Sequence, residues 1–492
     1  MGREIPNLVF RFEPGYTIDS PLVLQEFSED NTVVAKNDLS ESVSSIFLGK
    51  LAEYEHMRKN MWLDTEGAHA VYVMGKRRSG KTYTLGVILE GLASNNWIRR
   101  GDQRQAILFV DTMNVFITMP HSVLDVYGET SPQGRELSRW YLPKELFDVL
   151  LLYPRGSLPP PEGITKEIAL RACDLTAADW ASLFEVDTYA DPIGQLISEI
   201  YEKVALEGYR KTDGTLVGAN SNYSIEDMLD CLGDCPQISP PRYEQRTIEA
   251  VRRRISALRR LSLFSSAGTD IREIFVPGQI SILLLRDLDQ SIRALLVGVL
   301  VKKIMQQRSV ADRYERLAAV QLNRSVSLRD KDSESAQAAR LKSTDYMDLA
   351  RSGLPRGWVI IDEAHNYLPS RGIMASSEPL KKYVNEGRNL GLSIVVATQN
   401  PSGLDPAIRR NADVLIIHSM SMRDDVATAE GMVNTFVPDG FTFGRDHITG
   451  RVFEQMIRSL PLGYAVLSND NLSRISVVKI RPRLTVHGGL EY

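Results

Sequence analysis

Residues Gly75-Lys76-Arg77-Arg78-Ser79-Gly80-Lys81-Thr82 fit the spacing G-x-x-x-x-G-K-[ST]. Glycines at the ends of such a loop let backbone N–H groups wrap phosphate oxygens, and a helix starting at Lys81 turns its positive end toward them. In this reading Lys81 reaches the β- and γ-phosphates and the Thr82 hydroxyl ligates Mg²⁺. Gly75, Ser79, Gly80, Lys81, Thr82 and Tyr83 form the expected ATP-contacting set. A second constellation, Trp358-Val359-Ile360-Ile361-Asp362-Glu363, is an apolar run ending in two carboxylates. Asp362 suits the Mg²⁺ shell, and Glu363 suits polarising or deprotonating an attacking water. The plainer role for Glu363 is a helix cap or a surface acid.

Other polar residues carry less. Thr398 and Gln399 follow the run 392–397, so an amide there can orient water or sense the γ-phosphate, or simply close a strand end. His365 either contacts the carboxylate pair or packs at a helix start. Asp111 closes the run 106–111 and reads as a cap, with Mg²⁺ proximity the lesser alternative. Cys231 and Cys235 have no second ligand pair nearby, so no metal is expected there.

The elements that must hold these residues are visible as apolar runs at 70–74, 106–111, 149–153, 279–285, 358–362, 392–397 and 413–417. Runs apolar on both faces, separated by helical patterns, suit a parallel sheet buried under helices, and the expectation is a doubly wound α/β core. Two segments interrupt it. Residues 162–275 show helical periodicity and are expected to form a mostly helical insertion. Near its end Ile248, Val251, Ile255 and Leu258 make an apolar stripe, with Arg252, Arg253, Arg254, Arg259 and Arg260 around it. That pattern fits a solvated amphipathic helix, or alternatively a nucleic-acid or subunit contact. Residues 321–357 are polar and strand-free, and read as a long functional or disordered loop. The expected division is an N-terminal extension over 1–65, core over 66–161, insertion over 162–275, and core over 276–492.

Composition excludes several classes. With 58 Lys plus Arg against 62 Asp plus Glu, the net charge is −4, so the chain is no polycation, although a basic channel lining remains compatible. Three cysteines cannot build a disulfide framework, and a reducing compartment fits. The N-terminus lacks a signal-peptide core, and no apolar run approaches the ~20 residues of a membrane span. A soluble, cytoplasmic chain without membrane partners is expected.

Taken in order, several blocks resemble the HerA branch of the HerA/FtsK family of ring-forming P-loop ATPases. They are MGKRRSGKTYTLG at 74–86, ISILLLRDLDQSIRALLVGVLVKKI at 280–304, WVIIDEAHNYLP at 358–369, EGRNLGLSIVVATQNPSGLDPAIRRNADVLIIHSM at 386–420, and RPRLTVHGG at 481–489. The resemblance implies a RecA-like parallel-sheet P-loop core and a homohexamer with ATP sites between subunits. It further implies double-stranded DNA in a central channel and a nuclease or NAD-consuming effector as partner, in DNA end processing or antiviral defence. In such rings a neighbour supplies an arginine, and Arg388 matches the family's block. It is the first candidate for that catalytic, interface or sensor role, with Arg409 and Arg410 next and a plain salt bridge as its alternative. Only about 65 residues precede the core, so the family's N-terminal β-barrel is expected to be shortened or absent. Asp362-Glu363-Ala364-His365 spells DEAH, but its separation from Lys81 is too long for the helicases named after that motif. The rival to a DNA motor is an ATPase ring that assembles and regulates an effector enzyme without moving DNA strongly.

Overall fold

The computed structural model describes residues 10–12, 31–34, 45–52, 60–94, 104–240, 242–259, 261–328, 332–437, 439–443, 446–469 and 475–489. Its centre is a sheet of 13 strands, of which eight neighbours run parallel. Their order is Val414–Ile417, Ala70–Met74, Leu392–Thr398, Gly357–Ile361, Ala106–Asp111, Ile280–Leu284, Val149–Pro154 and Ile164–Ile168. Every apolar run singled out in the sequence lies in this parallel part. Beyond Val414–Ile417 the sheet continues antiparallel through Tyr464–Asn469, Ser476–Ile480, Ser45–Leu51 and Asn60–Asp64, with Asn31–Val34 at the far edge.

Alternation along each strand divides the interior in two. Val71 and Val73, Ile107 and Phe109, Trp358 and Ile360 face one core, which also holds Leu85, Ile88 and Leu89 of the helix Lys81–Ala93. Tyr72, Met74, Leu108, Val110, Val359 and Ile361 face the other, shared with the helices of 177–259 and the start of the helix Gln290–Leu328. Burial on both faces explains why the strands are continuously apolar.

Residues 162–275 hold the helices Ala177–Leu183, Pro192–Tyr201, Ile225–Asp234 and Gln245–Arg259. The segment opens, however, with Ile164–Ile168, an edge strand of the main sheet whose exposed, mixed residues carry no buried-strand signature. Ile248, Val251, Ile255 and Leu258 are buried, while Arg252 and Arg253 face solvent and Arg259 pairs with Glu226. Arg260 lies outside the described residues, as does most of 1–65, where the shortened barrel was expected. The parts of 1–65 that are described include three strands that extend the main sheet.

The loop expected over 321–357 is not a loop. Gln290–Leu328 is one 39-residue helix, about 58 Å long at 1.5 Å per residue, and Ser333–Arg351 returns beside it. The seam between them is made of small residues. Ala311, Ala318 and Ser325 are buried at spacings of seven, facing Ala339, Ser343 and Ala350. The Ser343 hydroxyl donates to the Ala318 carbonyl across the seam at 2.9 Å, and Tyr314 stacks on Tyr346. A scan for large apolar residues misses such a pair, because close backbone approach replaces bulky side chains. At the hairpin's base the fully buried Arg308 donates to both Glu315 carboxylate oxygens and to the Leu390 carbonyl. No helix among the described residues is long and apolar enough to cross a membrane.

Candidate nucleotide site

Parallel strands place everything that follows them at one edge, and ligands in open α/β sheets bind at that carboxyl edge. Three neighbouring strands deliver the expected groups there. Ala70–Met74 leads into the phosphate loop, Gly357–Ile361 into Asp362 and Glu363, and Leu392–Thr398 into Gln399.

The loop is held closed by its own contacts. The Ser79 hydroxyl donates to the Lys76 carbonyl at 2.8 Å, and the Lys81 ammonium donates to the same oxygen at 3.0 Å. Gly80 has φ 113°, a left-handed value that a side chain would oppose, and it begins the helix Lys81–Ala93. Lys81 is buried, which lowers its pKa, and the carboxylates of Glu363 and Asp362 act in the opposite direction. Thr82 is partly exposed in the first helical turn. The Tyr83 phenol accepts the Arg483 backbone N–H at 2.7 Å, and its ring meets the edge of His487. Its contacts are therefore with the C-terminal segment, and they tie the loop's helix to that segment.

Asp362 is fully buried; burial, then the charges of Glu363 and Asp111, push its pKa up to about 7. Its Oδ1 accepts the Glu363 backbone N–H at 2.9 Å. Glu363 has φ 50°, a left-handed conformation costing a non-glycine residue on the order of 1 kcal/mol or more. Its Oε2 is buried without a hydrogen bond and stands 3.4 Å from His365 Nδ1. His365 Nδ1 also shares a 2.9 Å hydrogen bond with Thr398 Oγ1, which accepts the Asn400 backbone N–H. His365 thus bridges the acidic pair to the neighbouring strand end, while Gln399 is exposed at the same edge. Asp111 is a cap: its carboxylate accepts backbone N–H groups of Met113 and Phe116 at the turn Val115–Thr118.

Two buried carboxyl groups and an unpaired Glu363 oxygen, with Lys81 the cation acting on Asp362, leave negative charge that a divalent ion would neutralise. The residues therefore fit Mg²⁺, which Asp362 and Thr82 would hold. The ion would supply charge neutralisation on the phosphate oxygens. The chain's own groups can cradle phosphates with the loop N–H groups and Lys81, and can present Glu363 to a water.

Arg388 is not at this edge. It precedes the strand Leu392–Thr398 and so lies at the amino edge of the parallel sheet, across the strand's length from its own phosphate loop. There its guanidinium donates to the Asn411 carbonyl at 2.7 Å and pairs with Asp413 at 3.0 Å. A sensor role within its own chain is corrected by this placement. Arg409 and Arg410 stand on the helix Pro406–Asn411, just ahead of the strand Val414–Ile417. Cys231 and Cys235 are buried in the insertion's core.

Sequence reasoning missed a buried charge cluster that binds the C-terminal segment to the P-loop helix. Glu90, fully buried on that helix, pairs with Arg481 at 2.7 Å and with Arg483 at 3.4 Å. It also accepts the backbone N–H groups of Leu484 and Thr485. A Cβ at Gly86 would lie 2.5 Å from the Arg483 guanidinium carbon, so the helix needs glycine where the segment crosses. The RPRLTVHGG block was the available signal, but nothing in its spacing named Glu90.

This fold and this site define a P-loop ATPase. Residues 71–304 match the family model described as the central domain of helicase HerA. No curated protein matches the chain. Among solved structures it is similar to VirB4 of Thermoanaerobacter pseudethanolicus, at 11% identity and TM-score 0.46, over 90% of this chain and 97% of that one. It is similar to the plasmid coupling protein TrwB in complex with ADP and Mg²⁺, at 17% identity and TM-score 0.42, over 85% and 86%. A third is the genome packaging NTPase B204 of Sulfolobus turreted icosahedral virus 2 with ATP-gammaS, at 10% identity and TM-score 0.29, over 84% and 97%.

Proposed function

We propose that this chain is an ATP-driven motor on double-stranded DNA, working as a homohexamer with a nuclease or other effector enzyme in DNA end processing or antiviral defence. The observation that carries the reading is the joining of Lys81, Thr82, Asp362 and Glu363 at one sheet edge within a chain whose residues 71–304 match the HerA central domain. ATP is bound by Gly75, Ser79, Gly80, Lys81 and Thr82, with Tyr83 bracing the helix behind them. Glu363 activates water, and Gln399 orients it. Because Arg388 stands at the opposite edge of its own sheet, any action it has on a transferred phosphoryl group is on a neighbour's nucleotide. The N-terminal strands, the core parts 66–161 and 276–492 and the insertion 162–275 then work as one subunit.

The test is ATP hydrolysis by the purified protein with and without long linear double-stranded DNA, with Lys81→Ala as the blank. Stimulation of about tenfold or more is expected. Hydrolysis indifferent to DNA would overturn the motor reading and favour an ATPase ring that assembles and regulates an effector.

A further inference from the structure

The strand Val414–Ile417 lies beside Ala70–Met74, and the two residues after it run beneath the phosphate loop. The His418 N–H donates to the Met74 carbonyl at 2.7 Å, and the Lys76 N–H donates to the Ser419 carbonyl at 2.8 Å. The His418 side chain is wholly shielded from solvent. Its Nδ1 stands 2.9 Å from the Tyr464 carbonyl, which can only accept, so Nδ1 carries the proton. Nε2 then has a free lone pair, and it accepts the Thr84 hydroxyl at 2.9 Å. Thr84 is fully buried in the first turn of the P-loop helix, and its own N–H goes to the Gly80 carbonyl. His418 also fills the space beneath both loop glycines, its Cβ under Gly75 and its ring under Gly80. A Cβ at Gly75 would lie 2.6 Å from His418 Cβ, and one at Gly80 would lie 3.4 Å from the ring.

We infer that His418 is a positioning residue for nucleotide binding: it spans from the Tyr464 carbonyl to Thr84 and so fixes the first turn of the P-loop helix against the sheet. It touches no nucleotide. Its effect is to keep Lys81 and the loop N–H groups aimed at the phosphate position before ligand arrives, which lowers the cost of ordering them on binding. Burial holds the ring neutral, with its pKa lowered to about 4, so the bridge persists across the working pH range. A histidine serving only to fill the core would need neither the hydroxyl partner at Nε2 nor the carbonyl partner at Nδ1.

The inference rests on the nucleotide-site reading, and the experiment separates the two. Full-length Thr84→Val, Thr84→Ser, His418→Asn and His418→Gln are compared with wild type and Lys81→Ala. The readouts are Kd for fluorescent ADP, KM and kcat for ATP, and the Tm without nucleotide. Thr84→Val keeps the shape and removes the hydroxyl, and Thr84→Ser restores it. Asn at 418 can still donate to Tyr464 but does not reach Thr84, whereas Gln can accept from Thr84. Thr84→Val and His418→Asn are expected to raise Kd and KM about tenfold, the cost of one buried hydrogen bond. Their kcat at saturation stays within about threefold of wild type, because the bridge does not act on the transition state. Thr84→Ser and His418→Gln fall nearer to wild type. Unchanged Kd in Thr84→Val, or an equal loss in Thr84→Ser, overturns the inference, and the threonine pair decides it if the 418 variants fail to fold. Wild type that binds ADP no better than Lys81→Ala would instead overturn the nucleotide site itself.

Discussion

At the scale of residues, the site depends on carboxyl groups kept where water cannot satisfy them. Glu363 combines a left-handed backbone with a buried, unbonded oxygen, an arrangement sustained only where the surroundings over-determine it. Glu363→Gln should keep ATP binding and lower hydrolysis at least ~100-fold, measured as retained Kd beside lost phosphate release. Lys81→Ala should lose binding as well. The residues at stake here were legible in the sequence because glycine, lysine and paired acids at fixed spacing have few other uses. Arg388 was legible only as an arginine. Its position was not, because whether a residue precedes or follows a strand decides which edge it reaches, and spacing along the chain does not reveal what it pairs with. His418 carried no signal at all, since its partners Thr84 and Tyr464 are remote in sequence.

Among the elements, the P-loop helix is braced from two sides, by the sheet and by the segment Arg481–Val486. Glu90 is the centre of that brace, and two arginines are buried with it. Glu90→Gln should cost about 3–5 kcal/mol, because it leaves buried cations without their counter-charge. Chemical denaturation would measure the loss, and nucleotide affinity should fall alongside it. The strands were readable from their apolar runs because both of their faces are buried. The hairpin of Gln290–Leu328 and Ser333–Arg351 was not, because its buried seam is alanine and serine while larger apolar residues such as Val320, Val326 and Leu341 stay exposed. A helix pair whose mutual seam is built of small residues looks, to a scan for hydrophobic periodicity, like a loop.

For the whole molecule, distant parts of the chain meet at the amino edge of the sheet. His69 lies between Asp413, 2.8 Å from Nδ1, and Asp64, 3.4 Å from Nε2, with Arg388 on the far side of Asp413. Burial opposes its charge, but the two aspartates outweigh burial and raise its pKa to about 9. The folded value lies above the unfolded ~6.5, so this stabilisation is complete below about pH 6.5 and is lost as pH rises through about 9. On the order of 3 kcal/mol is involved, from a shift of 2–3 units at 1.36 kcal/mol each. The expected outcome is a Tm that falls between pH 6.5 and 9.5 in wild type and much less in His69→Gln. A parallel fall in both would assign the alkaline loss elsewhere.

The segment that crosses the P-loop helix reaches further still. Its Val123–Leu484 and Val486–His121 backbone hydrogen bonds place residues of the 480s against the first third of the chain. During synthesis the phosphate loop emerges from the ribosome hundreds of residues before Arg481 and Arg483 do. Until they arrive, Glu90 has no counter-charge and the P-loop helix lacks one wall. A nascent chain therefore carries a complete nucleotide-binding motif without a finished nucleotide site until the segment Arg481–Val486 has been made and has docked.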